Sequence, residues 1–371
     1  MRRIYKWIAF ALAFLLFLIL GSETVPLADR AVVMGIGIDK IENGYKVTAQ
    51  IIMPTDSESK SAGYIVLSGD GESVSEALMS VSIEAGRQLS MSHCNAVVLG
   101  FELIQHDAVN ALDYMVRNAY LSENALIVAA ANTAEEVLNA KPAFAEMSSL
   151  YLQTMLTKYG YYSIRSGRNI KDFLVSHNTR SQGNWLSLTT VTETAGEVGG
   201  EQSAEEPEFI FSFDDTAVFK GGDYVTKLDE RGTRGINYVE KHIKEGSIVA
   251  VCDGKIYTYF IENIKTQKKF SDDYSAAFST RATLILKEIQ SDDGTTSTAN
   301  SIDSERNPGI KAAVAKVIAD DIRYAYEESK KFGVDIFGLG EGFYGATGKN
   351  FDPVGYFDRA VLEIEVKVDF V

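Results

Sequence analysis

Residues 31 to 38 and 45 to 53 are two β-branched, apolar runs separated by Asn43-Gly44. Asn-Gly is a favoured two-residue hairpin turn, so the pattern predicts a β-hairpin. Its first strand lies in "VVMGIGIDK", which has the opening Gly-x-Gly of a dinucleotide fingerprint. A phosphate cradle also needs a third glycine and a helix whose N-terminal N–H groups face the pyrophosphate. A turn and a second strand follow instead, so Gly35 and Gly37 are read as strand glycines that permit a bend or close backbone approach. Helical spacing comes next. Ser73-x-x-Glu76 is a capping box, and Val74, Ala77, Leu78, Val81 and Ala85 recur on one face. Residues 95–101 read as a buried strand, 107–118 as a helix and 125–131 as a strand. Thr133-x-x-Glu136 caps a third helix, which Pro142 closes. This order predicts an α/β unit with a mixed sheet over residues 28–142.

Residues 143–240 form a second predicted domain. Helical patterns at 147–163 and 169–178 precede an extended stretch at 184–193, and "FIFSF", "TAVFK" and "YVTKL" read as strands. Between them, residues 192–208 hold six Glu, three Gly and no basic residue, so this acidic stretch reads as a loop. A third domain is expected over 241–371. Its hairpin is centred on Asp253-Gly254, and a further strand covers 278–290. A long amphipathic helix covers 310–332, with Val314, Val317, Ile318 and Ala325 on one face and Gly333 as its C-cap. In the closing strand, 360–370, Leu362, Ile364, Val366, Val368 and Phe370 alternate with Glu363, Glu365, Lys367 and Asp369. The expected class is α+β, with three mixed domains and mixed or antiparallel sheets.

Ahead of these domains, residues 1–22 have the layout of a signal or anchor segment. Arg2, Arg3 and Lys6 precede an uncharged apolar run from Trp7 to Leu20. At 1.5 Å per residue that run spans about 21 Å, short of a hydrocarbon core of about 30 Å unless Ile4, Tyr5 and a snorkelling Lys6 extend it. The expected topology leaves the basic head cytoplasmic and everything after Ser22 outside. The formal net charge of −15 argues against nonspecific nucleic-acid binding, which needs clustered Lys and Arg.

Candidate chemistry is sparse. His93, His106, His177 and His242 show no chelating spacing, and adjacent His93-Cys94 would point to opposite faces of a strand. There is no Gly-x-Ser-x-Gly elbow, Walker loop or His-Glu-x-x-His. Asp214-Asp215, Asp272-Asp273 and Asp320-Asp321 read as solvated pairs, and Asp292-Asp293 lacks the rest of a calcium loop. Cys94 and Cys252 are read as buried free thiols, although an oxidising compartment would allow them to pair. Eighteen Tyr, densest in "YGYYS" at 159–163, read as core and rim packing, with a partner or headgroup surface as the alternative. No catalytic, metal-binding or cofactor-binding residue is assigned.

Several blocks, taken in order, resemble the spore-germination receptor C-subunit family, Ger(x)C. They are "AVVMGIGIDKIENGYKVTAQIIMP", "GDGESVSEALMSVSIEAGRQLSMSHCNAVVLGFEL", "DYMVRNAYLSENALIVAAANTAEEVL", "DDTAVFKGGDYVTKLDERGTRGINYV" and "KKFGVDIFGLGEGF", the last with Gly333, Asp335 and Gly338. The resemblance runs from about Ala31 to Val371. It implies a non-enzymatic, extracytoplasmic protein of three mixed domains on the inner spore membrane, partnered by two integral membrane subunits of A and B type. It also implies a lipobox cysteine, but Ser22 occupies that position and the usual Trp-Asp after it is missing, so no lipid attachment is expected. Residues 4–21 are expected to remain as the anchor. An extracytoplasmic small-ligand-binding or envelope scaffold protein is the alternative.

Overall fold

A computed structural model describes residues 5–7, 10, 30–53, 63–157, 163–164, 167–194, 208–291, 296–298 and 307–371. Most of the expected leader, including Ser22, lies outside the described residues, as do the acidic stretch at 195–207, Tyr161 and Tyr162, and Asp292-Asp293. No helix among the described residues is long and apolar enough to cross a membrane.

Strands β1 (Arg30–Ile41) and β2 (Gly44–Ile52) pair antiparallel, with Ile41 opposite Gly44 and a bulge between Val33 and Gly35. β3 (Tyr64–Gly71), which the residue pattern did not signal, extends the sheet beyond β2. Helix α1 (Val74–Ala85) follows. Ser73 Oγ accepts from the Glu76 N–H at 3.2 Å, while the Glu76 carboxylate accepts from the N–H of Glu72 rather than that of Ser73. Next come the short β4 (Gln88–Ser90) and then β5 (Ala96–Leu99), both parallel to β1. Helices α2 (Phe101–His106) and α3 (Ala108–Asn118) lead to β6 (Leu126–Ala130). Helix α4 (Ala134–Asn139) leads to the two-residue β7 (Lys141–Pro142), so Pro142 ends in a strand pairing just past the helix it was expected to close. Helix α5 (Ser148–Thr157), β8 (Arg168–Asn169) and α6 (Ile170–His177) precede β9 (Gly183–Glu193), β10 (Glu208–Lys220) and β11 (Asp223–Leu228).

The order across this sheet is β11-β10-β9-β6-β5-β1-β2-β3. Its centre is parallel and its flanks are antiparallel. Side chains alternate between its faces. Ile36, Ile38, Val97, Leu99, Ile127 and Ala129 pack with α1, α2, α3 and α6 on one side. Ala96, Val98, Val128 and Ala130 pack with α4 and α5 on the other. That second face explains the Gly-x-Gly. A Cβ on Gly35 would stand 2.4 Å from the Ser149 Cβ, and one on Gly37 would stand 2.9 Å from the Ala134 Cβ. The glycines let two helices rest on the backbone of β1, as the strand reading anticipates.

The chain then forms α7 (Glu230–Glu240), which leads into β12 (Ser247–Cys252), β13 (Lys255–Phe270), β14 (Ser275–Gln290) and β15 (Thr296–Thr298). Asp253 and Gly254 both have positive φ, 50° and 73°, the signature of a type I′ turn. Helix α8 (Pro308–Lys331) covers the inner face of this second sheet. It closes in a Schellman motif: the Gly333 N–H donates to Lys330 O at 2.9 Å and the Val334 N–H to Ser329 O at 3.0 Å, with Gly333 at φ 67°. Helices α9 (Leu339–Thr347) and α10 (Tyr356–Arg359) come before β16 (Val361–Phe370). β16 runs parallel to β14, the one parallel pairing among the described strands of this sheet.

The two sheets share a core. Trp185 of β9 and Val218 of β10 join Ile236, Tyr238 and Val239 of α7 in the same cluster as α8 and the second sheet. The buried hydroxyls of Thr216 and Thr233 meet at 2.8 Å across this seam. The first sheet draws its strands from both 30–142 and 168–228, and α7 ends at Glu240.

Candidate functional site

Three buried aspartates organise the molecule. Asp39, near the end of β1, is 5% exposed. Its two oxygens accept from the N–H groups of Ala134 at 2.7 Å and Glu135 at 3.0 Å, at the start of α4. Thr133 accepts from Glu136 N–H at 3.1 Å, so two side chains satisfy the orphan donors of this short helix. Burial raises the Asp39 carboxyl above its ordinary value, although both backbone donors pull it down.

Asp321 lies on α8 facing α7 and is 4% exposed, which corrects the expectation that Asp320-Asp321 is a solvated pair. The pair divides. Asp320 meets the exposed Arg323 at 3.0 Å. Asp321 receives Arg231 Nε at 3.0 Å and Arg234 Nε at 2.9 Å. Helical geometry puts residues i and i+3 of α7 on one face, so both guanidiniums reach one carboxylate. Arg234 also pairs with Glu230. Beside this clamp lies a cleft of about 760 Å³, bounded by α7, α8, residues 245–249 and β13. Its walls include Ile248, Phe260 and Val317, with Glu230, Arg234, Glu245 and Asp321 as charged groups. Tyr238, fully buried, also lines it; burial first and the Asp321 carboxylate second push its phenol upward.

Asp335 belongs to the "GVDIFGLG" block and is 2% exposed. It accepts from Leu339 N–H at 2.9 Å, Gly340 N–H at 2.8 Å and the Tyr356 hydroxyl at 3.0 Å. Gly338, at φ 68°, turns the chain so that these donors converge. The same segment reaches the first sheet. Gly340 N–H donates to Ser181 Oγ at 3.1 Å, Asp335 bridges to Gln182, and Glu341 pairs with Arg180 at 3.1 Å.

A second joint lies under β9. The Arg168 guanidinium sits 4.0 Å over the Trp185 ring, and burial draws it down to about 10. Lys241 Nζ donates to Gly167 O at 2.9 Å; burial, then Arg168, pulls it down to about 8. Glu240 pairs with Lys268, and burial raises its carboxyl.

The residues weighed for chemistry are scattered. His93 and His106 are exposed, His177 is half-buried, and His242 bonds Asn263. Among the described residues no group of three or more His, Cys, Asp or Glu is placed to hold a metal. Both cysteines are free. Cys94 is buried, its thiol pushed up to about 12 by burial, whereas Cys252 is half-buried at a hairpin end rather than in the core. The Arg231–Arg234–Asp321 clamp was not foreseen, although two arginines three residues apart behind an Asp-x-x-Gly cap were a usable signal.

These features define a class: an α+β protein of two mixed sheets joined through a helix pair, with its buried carboxylates spent on joints. The chain belongs to the Ger(x)C family of spore-germination proteins. The family model described as spore germination protein N-terminal domain matches residues 23–211, and that described as spore germination B3/GerAC like, C-terminal, matches 214–370. The crystal structure of the GerBC protein is similar in fold, with TM-score 0.53 at 15% identity over 91% of this chain and 97% of that one. No curated protein matches. The step between the two family models falls at the register shift in β10 between Ser212 and Asp215, beyond which Val218 packs in the core shared with the second sheet while Ala217 and Phe219 pack in that of the first.

Proposed function

We propose that this chain is the C-type subunit of a nutrient germinant receptor, held at the extracytoplasmic face of a membrane by its N-terminal apolar segment. It brings no catalysis of its own and acts through contacts with integral membrane subunits of A and B type. The observation that carries this reading is the pair of family models spanning residues 23–370 in order. The joints built on Asp335 and Lys241 support it physically, since they use a buried carboxylate and half-buried cations to hold sheets together rather than to present them to a substrate. The test is fractionation and co-purification in a spore-forming host. The full-length chain should sediment with membranes and retain the A- and B-type subunits, and deleting residues 1–22 should release it. Recovery of the full-length chain in the soluble fraction would overturn the anchoring.

The cleft beside Asp321 favours a second reading, capture of a small ligand. At about 760 Å³ with apolar walls and few charges, it falls within the range of small-molecule sites. Thermal-shift screening with amino acids and sugars tests it, because a ligand that binds the native state raises the melting temperature. No shift across the panel removes this reading.

A further inference from the structure

The outer face of the second sheet, turned away from α8, carries a row of charge that strand pairing makes costly. Lys265 of β13 lies opposite Arg281 of β14, and Arg281 lies opposite Lys367 of β16. Directly paired residues share a face about 5 Å apart, so three cations stand side by side across three strands. All three are exposed. Directly opposed like charges destabilise a sheet, and a face shaped for solubility alone would alternate them. Among the described residues neither Lys265 nor Arg281 has an ion pair or side-chain hydrogen bond. Among the same residues Lys367 meets only Glu365, at 3.2 Å, with both side chains largely exposed. Such a pair contributes little. Lys269 joins the row in lining a groove of about 510 Å³, four cations against the single carboxylate of Glu365. The chain as a whole carries a formal charge of −15.

We propose that this groove binds a phosphate-bearing anion. The Arg281 fork matches two phosphate oxygens, and the flanking ammoniums of Lys265 and Lys367 answer the remaining charge. A single carboxylate would occupy the fork and leave both ammoniums opposed, so a multiply charged tetrahedral group fits the row better. Gln267 and Ser279, one row along and also lining the groove, add neutral donors. The ligand is either a soluble phosphate compound or a lipid headgroup. This chemistry follows from the sheet register and the groove's lining, and stands whether or not the chain is a receptor subunit.

The test uses the full-length chain. Its melting temperature is measured with inorganic pyrophosphate in detergent, and after reconstitution in phosphatidylglycerol or phosphatidylcholine vesicles. A rise with pyrophosphate identifies a soluble source; a rise in phosphatidylglycerol over phosphatidylcholine, without one for pyrophosphate, identifies a headgroup. In either case Arg281→Thr should weaken binding at least tenfold, yet melt no lower than wild type without ligand, because it relieves the opposed charges. Lys265→Thr should weaken binding as well, and Lys287→Thr, outside the row, should leave it intact. The proposal falls if neither probe raises the melting temperature or if Arg281→Thr and Lys265→Thr both retain the response. It also falls if Lys287→Thr loses the response equally, or if polyglutamate reproduces it.

Discussion

Asp39 and Asp335 solve the same problem in the two halves of the molecule by different routes. Each is a buried carboxylate that accepts two successive backbone N–H groups at the start of a helix. Asp39 reaches a helix 95 residues away in sequence, whereas Asp335 serves one that begins four residues later. The first is therefore a tertiary attachment, pinning α4 onto β1. The second is a local cap whose wider reach comes from a third donor, the Tyr356 hydroxyl. One chemical device thus fixes topology in one half and loop shape in the other, and the two should fail differently.

The largest effect is expected at Asp335. Asp335→Ala strands the Leu339 N–H and the Tyr356 hydroxyl and leaves the Gly340 N–H only its 3.1 Å bond to Ser181 Oγ. At about 1–3 kcal/mol per unmet donor, roughly 3–5 kcal/mol is expected. Chemical denaturation measures it; a loss below 1 kcal/mol would mean the joint repacks with water. Asp39→Ala strands two donors and should cost about 2–4 kcal/mol. Here the sharper readout is hydrogen exchange, because protection should fall in α4 while α1 and β2 keep theirs. Uniform loss would show that α4 is not separately pinned. Acidity separates Asp39 further. Its raised pKa means the folded chain binds the extra proton, so the stability penalty of the charged form disappears as pH falls through that value. Asp39→Asn should abolish this acid-side gain.

The contact between α7 and α8 comes next. A Cβ on Gly235 would stand 2.1 Å from the backbone oxygen of Asp321 and 2.8 Å from the Ala325 Cβ. Alanine favours a helix interior over glycine by about 1 kcal/mol, but forcing the helices apart costs about 1–3 kcal/mol. Gly235→Ala should therefore destabilise and widen the Arg231–Asp321 separation. A stabilised variant would show that the helices have room to part.

The same residue shows where sequence reading reaches its limit. The hairpin at Asn43-Gly44, the two helix caps at Ser73 and Thr133, the helix ending at Gly333 and the final alternating strand all announce themselves, because each obeys a local rule. Helix α7 does not. Gly232 and Gly235 depress its helix propensity, and they are there for close packing on Leu228 and α8, which no local pattern reveals. The clamp on Asp321 was hidden for the same reason, since an Asp-Asp pair looks solvated until a facing helix is known. Nothing local marks Asp39 in "VVMGIGIDK", because its partners lie about 95 residues on. Strand β3 passed unnoticed because its burial is shallow and it ends in Gly69 and Gly71. Residues of the groove on the second sheet were legible individually, but their cross-strand register was not.

A smaller effect should appear in alkali. Lys241 is held near pKa 8, against 10.5 when unperturbed, so between those values the folded chain binds fewer protons than the unfolded one. Stability from this group therefore rises with pH across the window. Lys241→Met should flatten that rise between about pH 7.5 and 9.5, below the range where buried phenols act with the opposite sign. An unchanged slope would mean that water reaches the ammonium and restores its ordinary value.

The smallest effect is expected where the Asp335 joint meets solvent. Glu341, which directly follows the capped Gly340, pairs with Arg180 at side-chain exposures of 39% and 42%. A pair this open contributes about 0.2–1 kcal/mol, and salt screens it further. The Arg180 guanidinium also lies 3.6 Å over the Tyr344 ring, a contact that survives loss of the carboxylate. Glu341→Gln should thus cost under about 1 kcal/mol and lose most of that cost at high ionic strength, while Asp335→Ala should be nearly indifferent to salt. Equal salt sensitivity of the two variants would show that the joint is held from its surface, and that the buried cap follows from the surface pair.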